Sequence, residues 1–181
     1  MDNIIETFRL YIRPVGVKDA PDIFEYSRNA HVGYNAGWKA HENMEETLRL
    51  MDVVFMQENV FGMELKETGK IIGSLGLVND PKRNNPHVKM LGYALGEAYW
   101  GKGLMTEAAG ALLHYGFEVL ELELISAYCY PFNERSRKVL QKLGFVYEGR
   151  LSLCEAIYTG EVLDHECYAL KRRETLSGPV L

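Results

Sequence analysis

What the chain has little of narrows it first. Cysteine occurs only three times in 181 residues. Cys129, Cys154 and Cys167 are an odd set without metal-ligand spacing, and too sparse for a disulfide framework, so free thiols in a reducing cytoplasm and no bound metal are expected. A basic surfeit is missing too: 20 Lys and Arg against 25 Asp and Glu leave a formal net charge of -5. The two signs are interleaved, which argues against a nucleic-acid partner. Every apolar stretch is broken by charge or glycine well short of the ~20 residues a membrane-spanning helix needs. The opening Met1-Asp2-Asn3-Ile4-Ile5-Glu6 has no basic segment followed by an apolar core, so no export and no membrane partner are expected. Repeats and low-complexity segments are absent. What remains is a chain with 47% apolar residues, enough for one sizeable core. The expectation is a single domain over residues 1–173 and a flexible tail over 174–181.

Apolar spacing places the elements. Phe8 to Pro14 alternates apolar and basic residues as a half-buried strand does, stopped by Pro14, and reads as the opening edge of a sheet. Two helices follow, one over Asp19 to Asn29 and one after the capping-box signal Asn43-Met44-Glu45-Glu46. Between them, His31 to His41 has no period and reads as a loop whose Trp38 either lines a cleft or packs between the helices. Val60 to Lys66 and Ile71 to Val78 are strands joined by a turn at Gly69, and Val88 to Leu95 is a third, giving an antiparallel meander. A helical face over Leu104 to Leu120 before a strand at Glu123 to Tyr130 implies a right-handed parallel crossover. A second such unit is expected from the helix Glu134 to Leu143, with Gly144 as its cap, into a strand from Phe145 to Tyr147. The last strand falls in Val162 to Leu170 after the turn Tyr158-Thr159-Gly160-Glu161.

Chemistry concentrates where a strand runs through glycines into a helix, from Gly92 to Ala108. Unpaired amides and the positive end of a helix dipole meet there, which is a binding site for phosphate. Gly101 and Gly103 let backbone approach an anion closely, and Lys102 supplies a charge or is simply solvated. Gly96-x-x-x-x-Gly101-Lys102 matches a nucleotide-binding P-loop up to Gly103, which stands where a magnesium-binding Ser or Thr is needed. That loop is expected near the start of a nucleotide-hydrolysing domain, not after three antiparallel strands.

A second reading rests on two segments together. Trp100-Gly101-Lys102-Gly103-Leu104-Met105 and Asn133-Glu134-Arg135-Ser136, the latter opening a helix that ends in Leu143-Gly144-Phe145, resemble motifs of the GCN5-related N-acetyltransferase (GNAT) superfamily. Tyr99-Trp100-Gly101-Lys102-Gly103 followed by Thr106-Glu107-Ala108 is similar to the branch that includes the ribosomal-protein alanine N-acetyltransferases. The likeness extends loosely from Phe8-Arg9-Leu10 and Arg13 to Asp164 and Tyr168. It implies an α/β (α+β mixed) fold: a twisted, mostly antiparallel sheet of about seven strands flanked by about four helices, with a splayed parallel strand pair at the cofactor site.

The resemblance implies acetyl-CoA as co-substrate and a primary amine as acceptor, either a protein N-terminal α-amine or a small molecule such as a polyamine or aminoglycoside. It places the pantetheine arm along Tyr93, Ala94 and Leu95, and the pyrophosphate on the loop of Trp100, Gly101, Lys102, Gly103, Leu104, Met105 and Thr106. Met105 stands where the family has Gly or Ala, a departure that bears on the width of the loop but leaves its amide. A backbone N–H in the central strand would polarise the thioester. Asn133 would hydrogen-bond the pantetheine or cap the following helix, and Ser136 would serve the departing thiolate as proton donor or as hydrogen-bond donor only. Glu107, Asp164 and Tyr93 also match family positions, the first two read as structural. The general base stays open, because Lys89-Met90-Leu91-Gly92-Tyr93 lacks the carboxylate that relatives often carry; His31, His87 and Glu97 are the candidates. That gap leaves room for a protein that binds acyl-CoA as a sensor without turnover. A homodimer through a sheet edge or the late strands is also admitted by the family's habits.

Overall fold

The computed structural model describes residues 4–172. The tail expected over 174–181 lies outside them. The elements in chain order are β1 (Ile5–Glu6), β2 (Leu10–Arg13), a 3₁₀ turn (Val17–Asp19), α1 (Ala20–Ser27), α2 (Ala30–Ala36) and α3 (Met44–Val54). The meander β3 (Val60–Leu65), β4 (Lys70–Asn79) and β5 (Val88–Leu95) follows. A second 3₁₀ turn (Glu97–Tyr99) leads to α4 (Leu104–Glu118), β6 (Leu124–Cys129), α5 (Glu134–Lys142), β7 (Val146–Ala156) and β8 (Val162–Lys171). The strands form one sheet ordered β1-β2-β3-β4-β5-β6-β8-β7. Every neighbouring pair is antiparallel except β5 and β6, which run parallel. The expected fold class therefore stands, with eight strands and five α-helices among the described residues.

The period of two along each strand divides the core between two faces. On β4, Ile72 belongs to the main cluster, which α4 covers with Ala108, Leu112 and Phe117, whereas Ile71 belongs to a second cluster with Ile23, Val32 and Met51 beneath α1 to α3. On β5 the same alternation sends Leu95 to the first cluster and Ala94 to the second. The strand carrying the expected cofactor contacts is thus clamped between two helical layers. Gly116 lets α4 lie close to the sheet: a Cβ there would come within 2.7 Å of Leu77 and 2.9 Å of Ile125.

Three expectations need correction. The strand at residues 8–14 is not the sheet edge, since the two-residue β1 pairs outside β2, and Phe8 sits exposed in the bend between them. Residues 31–41 do not begin as a loop. Asn29 caps α2 by accepting from the amides of His31 and Val32, and Gly37 ends it at φ +84°. Those two caps and the burial of Val32 and Gly33 hold a helix that shows no apolar period. The second crossover does not make a neighbouring parallel pair either. The strand after α5 runs far beyond Tyr147, to Ala156, and β8 inserts between it and β6. At α3, Asn43 caps as expected, accepting from the Glu46 amide, but the Glu46 side chain accepts from the Glu42 amide one residue before the cap.

Candidate active site

The parallel pair opens. Pairing of β5 with β6 covers only Val88–Met90 against Leu124–Ser126, although β5 continues to Leu95 and β6 to Cys129. Two strands that separate leave backbone donors and acceptors facing the gap, and an extended ligand can pair with them. At the mouth of the gap β5 passes through the 3₁₀ turn into a glycine loop. Gly101 and Gly103 both lie at φ +75°, a conformation that costs any residue with a Cβ. The first backbone bond of α4 runs from the Glu107 amide to the Gly103 carbonyl at 3.1 Å, so helix geometry leaves the amides of Leu104, Met105 and Thr106 for a ligand. The loop is tied from behind. Arg9 donates to the Lys102 carbonyl at 2.9 Å and to Glu107 Oε2 at 2.7 Å, while Glu107 Oε1 accepts from Thr7 and from the Arg9 amide. Burial pushes the Glu107 carboxyl up, but those donors outweigh it and hold the group below its ordinary value. Glu107 is a structural brace.

A cleft of about 310 Å³ runs along this loop. Of the residues assigned to the cofactor, Tyr93, Ala94, Leu95, Trp100, Gly101, Gly103, Leu104, Met105, Thr106, Asn133 and Ser136 line it. Lys102 does not; its ammonium lies 5.4 Å above the Tyr99 ring, outside the cleft. That position also weakens the P-loop reading, which needs the lysine on the phosphates. Cations come instead from Arg135, Lys138 and Lys142, which line the cleft at i, i+3 and i+7 along α5. That spacing was visible in the sequence and went unused. Arg135 stacks over Trp100 at 4.6 Å, and the Trp100 indole donates to the Leu95 carbonyl at 2.7 Å, fixing one wall.

A second cleft, of about 560 Å³, meets the first at Asn35, Ala36, Tyr93, Ala94, Asn133 and Ser136. At this junction the Tyr93 hydroxyl lies 2.7 Å from Ser136 Oγ. Burial pushes the Tyr93 phenol well above its ordinary value, so at neutral pH the pair holds a proton it can donate. Asn133 does what a cap does: its Oδ1 accepts from the Ser136 amide at 3.1 Å, and its Nδ2 donates to the Asn35 carbonyl at 3.1 Å, joining α5 to α2. One lone pair and one N–H remain for a ligand.

The three base candidates lie elsewhere. His31 and Glu97 pair with each other at 3.0 Å and line neither cleft. His87 precedes β5 at the end opposite the junction, about 20 Å away at the rise of an extended strand. What lines the second cleft is Glu155 of β7, with His165 of β8, Tyr128 and Tyr130. Glu155 Oε2 accepts from the Tyr130 hydroxyl at 2.9 Å and lies 2.6 Å from His165 Nε2. A bulge delivers it. Leu151 is opposite His165 and Glu155 opposite Leu163, so β7 carries extra residues between these pairs, with Leu153 at φ +49°. Asp164 braces the bulge through the Leu153 amide at 2.8 Å and Arg150 at 2.7 Å. No sequence spacing signals this arrangement, because it depends on how two strands pair. The Trp38 indole N–H, on the same cleft, is the one buried side-chain polar atom without a partner among the described residues.

A mixed sheet that splays at one parallel pair, with a left-handed glycine turn and a helix N-terminus at the mouth of the splay, is built to hold an extended ligand that carries phosphate, and the comparisons with known proteins make the chain an N-acyltransferase. The chain belongs to the GNAT acetyltransferase family: residues 9–146 match the family described as acetyltransferase (GNAT) domain. It is 31% identical over 173 residues to the uncharacterized N-acetyltransferase p20 of Bacillus licheniformis, covering 93% of this chain and 96% of that one. It is 31% identical over 158 residues to the [ribosomal protein uS5]-alanine N-acetyltransferase of Escherichia coli, covering 80% of this chain and 79% of the other. Among solved structures, a GNAT-family acetyltransferase from Bacillus anthracis superposes with a TM-score of 0.84 at 27% identity, over 95% of this chain and 100% of that one. The ribosomal-protein-S5-alanine acetyltransferase from Vibrio fischeri gives 0.78 at 28% identity, over 94% and 97%. Among the described residues no helix is long and apolar enough to cross a membrane and no cluster of candidate metal ligands occurs.

Proposed function

We propose that this chain transfers an acetyl group from acetyl-CoA to the α-amine of a peptide or protein N-terminus, by direct attack within a ternary complex. The observation that carries the reading is the meeting of the two clefts at the Tyr93–Ser136 pair, beside the strand edge left open where β5 and β6 part. Acetyl-CoA fits the first cleft chemically. Orphan amides at Leu104 to Thr106 suit its pyrophosphate, the cations of α5 suit its further phosphate, and the free edge at Tyr93 to Leu95 suits the amides of its pantetheine. It would supply a thioester, whose carbonyl carbon accepts the amine and whose thiolate leaves.

The remaining roles belong to the second cleft and the junction. Glu155 takes a proton from the acceptor ammonium, which frees the nitrogen lone pair for attack. A β5 amide facing the gap stabilises the oxyanion, a contribution of roughly 3–4 kcal/mol where such donors have been removed. Ser136 and Tyr93 offer the hydrogen bond or proton that the departing thiolate needs. Glu155 thereby fills the role left open by the missing carboxylate before Gly92, and with it the motive for a binding-only sensor falls away. A peptide acceptor is favoured by the relatives that act on ribosomal-protein alanine and by a second cleft wide and aromatic enough for more than a small polyamine.

Calorimetry with acetyl-CoA, using ATP with magnesium as control, tests the donor. Release of coenzyme A in the presence of short peptides beginning with alanine or serine, set against spermidine, tests the acceptor. Heat with ATP–magnesium alone would overturn the donor reading. Release with spermidine but with neither peptide would overturn the acceptor.

A further inference from the structure

Glu155 sits at one end of a three-residue chain. Its Oε2 receives both the Tyr130 hydroxyl, at 2.9 Å, and His165 Nε2, at 2.6 Å; Oε1 has no hydrogen-bond partner among the described residues. On the far side of the imidazole, His165 Nδ1 lies 3.1 Å from the ammonium of Lys82, in the loop between β4 and β5. An ammonium has three N–H donors and no lone pair, so Nδ1 must be the acceptor and the ring proton must sit on Nε2. We propose that Lys82 holds His165 neutral and in its Nε2–H tautomer, and that His165 is thereby a positioning residue which commits one oxygen of Glu155 and leaves Oε1 to take the acceptor's proton.

This rests on the reading of Glu155 as the base. Its chemical sense is that a neutral donor fixes the carboxylate with a smaller loss of basicity than an imidazolium in the same place, which would form an ion pair and quench it. The surroundings agree. His165 packs between Tyr128 at 5.9 Å and Tyr130 at 5.4 Å, ring to ring, and Lys82 also lies 4.2 Å over the Tyr128 ring. From β7 it faces Glu155, with Cys154 on the same cleft; on β8 its neighbour Cys167 is a buried thiol; behind Tyr128 stand Asp80 and Arg83, paired with each other at 3.0 Å. Burial pushes the His165 imidazole below its ordinary value, Lys82 pushes the same way, and Glu155 alone opposes them.

Two measurements on the full chain test the proposal. Long-range ¹H–¹⁵N NMR of the ligand-free protein should show the His165 ring still neutral, and protonated on Nε2 alone, below the usual imidazole value. Lys82→Met, at an exposed position, should let the ring charge nearer that value. The second is the pH profile of kcat/KM with acetyl-CoA and a short alanine-initiated peptide. His165→Leu should move the acid limb to higher pH, because the carboxylate loses one of its donors. His165→Gln, which keeps an N–H near Nε2, should restore the limb, and melting curves check that each variant folds. An Nδ1–H ring, or a uniform loss across pH in both His165→Leu and Lys82→Met, overturns the proposal. Glu155→Gln separates the two levels: if it stays active, the base reading fails; if it is inactive while His165→Leu leaves the profile unmoved, only the positioning role fails.

Discussion

Replacing Gly103 by valine tests the glycine turn most directly, because the structure assigns a cost to each way the loop can respond. Gly103 is at φ +75° and ψ 2°, immediately before α4, and a Cβ built there meets nothing nearer than Arg9, at 3.6 Å. Steric room is therefore not the issue; backbone conformation is. A residue with a Cβ in the left-handed region costs roughly 1–2 kcal/mol, with a β-branched residue at the upper end. If the loop keeps its shape, that strain falls on the fold and should lower Tm by roughly 2–8 °C for a chain of this size. If the loop relaxes, the amides of residues 103–106 turn away from the anion. Losing one charge-assisted hydrogen bond of about 1.5–3 kcal/mol then weakens acetyl-CoA roughly 10–150-fold. Calorimetry beside a melting curve distinguishes the two responses. Lys102→Ala is the control, expected to change affinity by no more than about threefold, since its charge lies off the cleft. A Gly103→Val protein with both affinity and Tm unaltered refutes the reasoning, because the left-handed strain would then fall on neither the fold nor the ligand.

Further outcomes follow from other parts of the molecule. The double substitution Lys138→Ala and Lys142→Ala should weaken acetyl-CoA by about 2–20-fold at low salt, less at high salt, and leave the 3′-dephospho form of the ligand almost untouched; equal losses for both forms would remove α5 from phosphate recognition. Gly116→Val should cost about 1–3 kcal/mol and several degrees of Tm by forcing Leu77 and Ile125 aside, with acetyl-CoA affinity retained in the folded fraction. The Glu107 carboxyl is held below its ordinary value of 4.5 in the fold, so it contributes stability that is complete above that value and lost as pH falls through the lower, folded value. Glu107→Gln should therefore be less stable than the parent at pH 7, with the gap closing as pH falls below the ordinary carboxyl value of 4.5 in denaturant titrations; a gap independent of pH would mean that the brace works by shape and not by charge.

Legibility in the sequence divides along the range of the interactions. The meander, α4 and α5 could be read residue by residue, since each carries its own apolar period and its own terminal signals: Gly69 at φ +69° in the hairpin, Asn133 capping α5 and Gly144 at φ +83° after it. The first cleft was legible for the same reason, as its loop and helix N-terminus are consecutive residues. Lys102 stayed open between two fates because a lysine beside glycines can reach an anion or solvent, and here its ammonium lies over the Tyr99 ring. Missing α2 had a local cause as well. Ala30–Ala36 contains a glycine and a β-branched residue and lacks a stripe, so only Asn29 and Gly37 at its two ends could have revealed it.

Glu155 and His165 were illegible for a deeper reason. They lie ten positions apart in the sequence, yet meet only because β7 bulges against β8 after Leu151, and the bulge rests on Asp164 accepting from Leu153. On the proposed reading the acceptor half of the site is therefore a product of strand register, whereas the cofactor half is a product of local chain. Physical constraint on the two halves differs accordingly. The glycine turn can change only at the cost of left-handed strain, so a chain that binds the same donor must keep it. A bulge can lengthen, shorten or move by a residue at modest cost and bring another side chain to the same junction. The donor should then be readable from a short motif in chains of this fold, whereas the acceptor has to be sought in the pairing of β7 with β8 and in the loop that carries Lys82.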